Sequence, residues 1–383
     1  MSNVDWPIVA YSHLRWNFVY QRPQHVLSRL AQRRRVFFVE EPIVTPESPR
    51  IEVSFPAANV LRCVPTGRFT GEPFRSHPTV LAPLLERLLE STGYAAHVAW
   101  LYTPLATALA CALGPTAIVY DCMDELSAFA GASPALLACE AELFGVADLV
   151  FTGGPSLYRA KRDRHPNVHC FPSSVDVAHF AEGRPRRPGG GPRLGFYGVL
   201  DERLDRDLIA AVAAARPGWQ IELIGPIAKI ARESLPRAAN LQYPGARDYA
   251  DLPKAIAGWD VCLMPFAMND ATRFISPTKV LEYMAAERPI VSTPITDVAE
   301  PYGDVVRIAR TPEEFVAACA AALAEPAEER ARRVERMRAI VAGTSWQHTV
   351  AGMATLIDDA THRKGEASWQ RTTRSSSVLG QPA

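Results

Sequence analysis

Short apolar runs alternate with longer stretches of helical periodicity along most of this chain. The first run is Pro7 to Ser12. A loop rich in polar and aromatic residues follows, His13 to Gln24, and overlaps a helical stretch from Pro23 to Gln32 with Val26, Leu27 and Leu30 on one face. Val36 to Val39 is the next apolar run. Strand, helix, strand at this spacing predicts a parallel unit with a right-handed crossover, and ligands in such sheets sit beyond the carboxyl ends of the strands. Ile51–Phe55 and Val60–Val64 read as an extended pair and Pro83–Leu89 as a helix. The alternation resumes with strands at His97–Tyr102, Ala117–Tyr120, Ala147–Phe151 and Asn167–Phe171, separated by helices at Pro104–Leu113, Pro134–Val146 and Ser156–Ala160. It stops at Gly183–Arg193, which is dense in Gly, Pro and Arg and predicts a linker. A second series begins at Arg193–Gly198 and continues through strands at Trp219–Ile224, Asp260–Phe266, Ile290–Val291 and Val305–Ile308.

This order predicts an α/β protein of two doubly wound domains. The expected division is 1–182, a linker at 183–192, a second domain at 193–344, a helix at 345–362 returning toward the first domain, and a disordered tail at 363–383. The length of 383 residues suits two domains, and 48% hydrophobic residues can fill two cores. Lys+Arg and Asp+Glu are equal at 41 each, so no overall field selects nucleic acid. Seven scattered Cys without metal-ligand spacing read as reduced thiols. No secretory leader or membrane-length apolar run is visible, and the expected location is cytoplasmic, with contact to the inner membrane face left open.

Two stretches carry candidate chemistry. In Arg273-Phe-Ile-Ser-Pro-Thr-Lys-Val-Leu-Glu-Tyr-Met-Ala, Ser276 reads as an N-cap and Pro277 as the first helical residue. A helix start with free N–H groups, joined by the cation Lys279, suits a phosphate. Glu282 lies one turn on and can accept from ribose hydroxyls; a capped surface helix with a Lys–Glu contact is the plain alternative. The other stretch is Asp121-Cys-Met-Asp-Glu125 at the end of a strand, where Asp121, Asp124 and Glu125 are the general-base candidates, Asp121 foremost. Asp124 capping the next helix, helped by Ser127, is the structural alternative.

The Ser-Pro-Thr-Lys-x-x-Glu-Tyr-Met-Ala…Arg-Pro-Ile-Val stretch resembles the donor-nucleotide helix of GT-B-fold glycosyltransferases, in the GT4-like group (glycosyl transferases group 1). His-x-Arg-Trp-x-Phe-x-x-Gln-Arg-Pro-Gln-His at 13–25 is similar to bacterial polysaccharide enzymes, teichuronic-acid types included. Pro172-Ser-Ser-Val-Asp176 looks like the exit from their first domain. The resemblance spans about residues 6–360 and implies a GT-B architecture, two Rossmann-like domains facing across a cleft. It implies a hexosyltransferase-type enzyme that moves a sugar from a nucleotide diphosphate-sugar to a glycan, lipid-linked or small-molecule hydroxyl in polysaccharide biosynthesis. Donor-side residues carried over are Gly198, Arg203, Arg247, Ser276, Thr278, Lys279 and Glu282. His13 is carried over with a catalytic or interdomain role, and Arg15, Trp16, Gln21 and Arg22 as acceptor-side residues. Where many such enzymes have a first Glu, eight positions before Glu282, this chain has Phe274. No cofactor or metal is expected, because Lys279 and Arg203 can neutralise the diphosphate. A nucleotide-sugar epimerase or hydrolase of the same fold and a non-catalytic partner subunit are the alternatives.

Overall fold

The computed structural model describes residues 6–184 and 191–378, with side chains through 364. Nine strands form the first sheet: β1 (Ile8–Ser12), β2 (Val36–Glu40), β3 (Ile43–Val44), β4 (Arg50–Ala57), β5 (Val60–Gly67), β6 (Val98–Leu101), β7 (Ala117–Cys122), β8 (Leu149–Thr152) and β9 (Val168–Cys170). Their order is β3-β5-β2-β1-β6-β7-β8-β9, with β4 antiparallel on the outer edge of β5. The expected extended pair is therefore the one antiparallel feature of an otherwise parallel sheet. Strands β1, β2, β6, β7 and β8 are buried at every position, as they must be when helices cover both faces.

The second sheet holds β10 (Arg193–Tyr197), β11 (Gln220–Ile224), β12 (Leu241–Gly245), β13 (Val261–Met264), β14 (Ile290–Ser292) and β15 (Val306–Ile308), all parallel, in the order β12-β11-β10-β13-β14-β15. The strand order reverses beside β1 in one sheet and beside β10 in the other. Both reversal points open a crevice at the strands' carboxyl ends.

The final helix, Trp346–Val378, leaves the second domain and packs on the first. Trp346, Val350, Met353, Ile357 and Ala360 join the core formed by β1, β2 and the helix Arg22–Leu30. Arg34 ties it further through Asp358 at 2.7 Å. The backbone stays helical well past the expected end at 362. The stretch 363–378 contains no proline and a single glycine, Gly365, so no strong helix breaker stops the helix. The expected tail beyond 378 and the centre of the expected linker, 185–190, lie outside the described residues. No helix among the described residues is long and apolar enough to cross a membrane, and the seven cysteines are free thiols.

Candidate active site

The ends of β1, β7, β10 and β11 and the start of the helix Lys279–Ala285 line one cleft between the domains. From the second domain come Gly198, Arg203, Arg247, Ser276, Thr278, Lys279 and Glu282. From the first come Gln21, Arg22 and Asp124. The structure thus brings together ten of the residues singled out from the sequence.

Two glycines make the floor. Gly198 ends β10 at φ +146°, and a Cβ there would lie 2.4 Å from Lys279 Cε. Gly225 ends β11 at φ +151°, and its Cβ would lie 1.8 Å from the Gly198 carbonyl oxygen. Only residues without a side chain let the two strand ends and the lysine meet.

The helix begins at Lys279, with Thr278 as its cap residue, two positions later than the sequence suggests. Thr278 already has right-handed helical angles and makes no side-chain cap bond, so Ser276 and Pro277 form the loop that delivers the helix. Lys279 Nζ has no hydrogen bond or ion pair among the described residues. It lies 5.7 Å from the Phe196 ring centre and 6.0 Å from that of Tyr197. Burial lowers its pKa; the Glu282 charge raises it and Arg203 lowers it. Glu282 is 5% exposed and accepts a hydrogen bond from the Tyr197 hydroxyl. Burial pushes its pKa up to about 7, while the Tyr197 bond and the Lys279 charge act against that rise. An uncompensated ammonium beside a strained-for-charge carboxylate suits a ligand carrying both phosphate and hydroxyls.

Arg203 is held from below. Its Nε and Nη2 meet the Asp201 carboxylate at 2.6–3.1 Å, and its own N–H donates to Asp201 Oδ1 at 3.0 Å. The guanidinium keeps its full charge and a fixed place on the cleft wall. Arg247 is exposed at the outer end.

On the first domain the carboxylates sort differently from expectation. Asp121 is fully buried and bound by Arg22, with Nε and Nη2 contacts of 2.9–3.2 Å. It faces the core side of Arg22 and does not line the cleft. The foremost base candidate is therefore an anchor: a strand residue turned into a fully buried sheet points its side chain at packed neighbours. Glu125 also turns away. It pairs with Lys161 at 2.6 Å and accepts from Ser127 Oγ at 2.8 Å, beside buried Glu140 and Tyr120, with exposed Arg164 reaching Glu140 from the surface. Asp124, between them, lines the cleft, and no helix is capped by it: the following 3-10 turn spans Leu126–Ala128. Burial raises the Asp124 pKa, against the lowering charges of Arg203 and Arg22.

Arg15 and Trp16 do not line the cleft either. Arg15 pairs with buried Glu40 at 3.2 Å and donates to the Glu41 carbonyl at 2.5 Å, and the Trp16 N–H donates to Glu40 at 2.9 Å. Arg62 completes that network at 2.6 Å. Glu40 ends β2, so the loop after β1 is stitched to the neighbouring strand by these two residues. Gln21 lines the cleft and starts the helix Arg22–Leu30, its N–H donating to Gln24 at 3.1 Å. His13 lies outside the cleft lining. Its Nδ1 is buried with no partner among the described residues, and burial lowers its pKa to about 4, helped by the charge of Lys229.

Several contributors had no signal in the motif reading. Tyr20 on the first domain stacks on Tyr249 on the second at 4.5 Å, and Tyr249 stacks on His179 at 4.5 Å; both tyrosines line the cleft. Asp297 crosses the domain boundary to accept the Ser156 N–H at 2.9 Å, at the start of the helix Pro155–Lys161. That helix start, preceded by Gly153-Gly154, is thereby filled by a protein carboxylate. Phe274 packs against the apolar core of the first domain. Only the aromatic residue before a strand-ending glycine, Tyr197, had a local cue.

Residues 191–325 match the family model described as Glycosyl transferases group 1. That match falls on the second domain. Over 299 residues the chain is 24% identical to "Putative teichuronic acid biosynthesis glycosyltransferase TuaH" of Bacillus subtilis (strain 168), covering 70% of this chain and 74% of that one. Among solved structures, a trehalose-6-phosphate structure from E. coli bound with UDP-2-fluoro glucose superposes with a TM-score of 0.68 at 14% identity, covering 93% of this chain and 99% of that one. Sucrose-phosphate synthase from Thermosynechococcus elongatus gives 0.67 at 16% identity, covering 95% and 100%. The fold is GT-B, and the cleft described above lies between the domain that carries the family match and the first domain.

Proposed function

We propose that this chain is a hexosyltransferase-type enzyme that uses a nucleotide diphosphate-sugar and acts without a divalent metal, in the assembly of a cell-surface polysaccharide. The observation that carries the reading is the pair Lys279 and Glu282 on one helix turn, both in the cleft and each lacking a full charge partner. Lys279 meets the diphosphate, with Arg203 beside it, and Glu282 accepts from the ribose hydroxyls. The base packs near Ala246 and Arg247.

In the reaction the bond from the anomeric carbon to the diphosphate oxygen breaks and a bond to the acceptor oxygen forms. Negative charge grows on the departing diphosphate, and fixed cations at that point lower the barrier. Asp124 enters from the opposite wall and is the carboxylate that meets the acceptor hydroxyl. Its raised pKa suits proton acceptance. The glycosyl acceptor is a glycan, lipid-linked or small-molecule hydroxyl.

The test is thermal unfolding with UDP-, GDP- and TDP-sugars, followed by product analysis with and without chelator. Protection by at least one donor, and chelator-resistant formation of a glycoside, are expected. Free sugar as sole product, or activity restored only by magnesium or manganese, refutes the corresponding part. An inverted anomer places the acceptor proton on Asp124; a retained one makes Asp124 an orienting group.

A further inference from the structure

Nothing holds the Asp124 carboxylate directly. Among the described residues it makes no hydrogen bond and no ion pair. Where it points is therefore set by its backbone, and that backbone is fastened on both sides. On the strand side, Asp121 is locked to Arg22 at 2.9–3.2 Å. The Gly153 N–H, just after β8, donates to the Cys122 carbonyl at 3.0 Å, and a Cβ on Gly153 would lie 2.7 Å from the Met123 carbonyl oxygen.

On the other side the next residue, Glu125, is fastened outside the cleft. Its Oε2 meets Lys161 Nζ at 2.6 Å, and its Oε1 accepts from Ser127 Oγ at 2.8 Å. Lys161 ends the helix Pro155–Lys161, and its side chain is 4% exposed. Glu125 has open, non-helical angles, φ −82° and ψ 84°. Neighbours in such a stretch turn to different sides, so drawing Glu125 inward sends Asp124 to the cleft. The contact is not needed to neutralise Lys161. Glu140 meets the same Nζ with both oxygens, at 2.8 and 2.9 Å, and is itself completed by Arg164 and the Tyr120 hydroxyl. Lys161 keeps a full carboxylate partner without Glu125. What the Glu125 contact adds is position.

We propose that Glu125, gripped by Lys161, is a positioning residue for the transfer: this ion pair outside the cleft aims the Asp124 carboxylate at the acceptor hydroxyl. The proposal rests on the role given to Asp124 above. A group that meets the reacting atoms loses about 10²-fold in rate when it is misplaced by about 1 Å.

The test is a double-mutant cycle on turnover: wild type, Glu125→Ala, Asp124→Asn and the two combined, with melting temperature and nucleotide protection measured for each. Turnover is read as nucleoside diphosphate released from UDP-, GDP- or TDP-glucose, whichever protects, with p-nitrophenyl glucoside or water as acceptor. Glu125→Ala should lower kcat about 10–100-fold and leave nucleotide protection unchanged. In the Asp124→Asn background the same change should cost less than about threefold, because no carboxylate is left to aim. Glu125→Gln keeps the outline and an acceptor oxygen for Lys161. It should lose about 3–10-fold, again only when Asp124 is present, and it decides the matter if Glu125→Ala does not fold. Equal losses in the two backgrounds mean that Glu125 supports the fold at large, and they overturn the proposal. So does Glu125→Ala turnover within about threefold of wild type, or a loss that appears as weakened nucleotide protection. Wild-type turnover in Asp124→Asn, or no turnover in the unmodified protein, refutes the underlying reading and the proposal with it. Neither of those results needs a Glu125 variant, so the two failures are told apart.

Discussion

Replacing Asp121 by Asn separates two roles that a carboxylate at this place in the sequence could have. If Asp121 were the base, Asn would keep size and stability and lower turnover by about 10²–10⁴-fold. The geometry requires the reverse emphasis. Asp121 is fully buried, and the Arg22 side chain against it is 5% exposed. Three contacts of 2.9–3.2 Å join them, and the other partner of Arg22 is the Phe171 carbonyl at 2.7 Å. Asn leaves one oxygen to accept and removes the charge, so a guanidinium stays buried without its counter-ion. Breaking a buried pair from one side costs about 3–5 kcal/mol, and Asn, which retains one acceptor, belongs near the lower end. For a domain of this size about 3 kcal/mol is about 6–12 °C in Tm. Circular dichroism melts of the wild-type protein and Asp121→Asn measure this directly. Arg22→Met combined with Asp121→Leu should recover most of the loss, because the pair is then replaced by apolar groups. A wild-type melting temperature for Asp121→Asn, with turnover alone reduced, would refute the anchoring role and return Asp121 to the chemistry.

Three further outcomes are expected. Lys279→Ala should weaken nucleoside diphosphate binding by about 1.5–3 kcal/mol in calorimetry, with the melting temperature of the free protein little changed. Asp124→Asn should lower turnover by about 10²–10⁴-fold if the product is inverted, and less if it is retained, while donor affinity stays the same. For Glu282 the folded pKa of about 7 lies above the ordinary value of 4.5, so the folded state holds the proton more tightly. The contribution of this group to stability is then greatest at low pH and declines as pH rises from about 4.5 to about 7. Ribose needs the ionised form as acceptor, so nucleotide affinity should rise as pH passes through about 7 and level off above it, and Glu282→Gln should flatten that profile in the same calorimetric titration.

The sequence by itself determined the layering and the donor wall. Strands buried on both faces need unbroken apolar runs, and Ile8–Tyr11, Val36–Val39 and Val261–Met264 are such runs, so two largely parallel sheets were legible from the order and spacing of these runs. Lys279 and Glu282 share a helix turn, and a spacing of three fixes them on one face whatever surrounds the helix. Gly198 was named through the family resemblance, and the structure supplies its reason: a side-chain Cβ there would lie 2.4 Å from Lys279 Cε. Tertiary structure decided the roles of the acids and bases on the opposite wall. Asp121, Asp124 and Glu125 lie within five residues, yet one meets Arg22, one the cleft and one Lys161. Those partners are 99 residues away in the first case and 36 in the last, and no local pattern encodes which carboxylate a distant cation will take. The same holds for Arg15 and Trp16, claimed by Glu40, and for the Tyr20–Tyr249 stack that joins the domains. Side-chain direction at a strand end is set by the sheet and by what packs on it, and that information resides in contacts far apart in the chain.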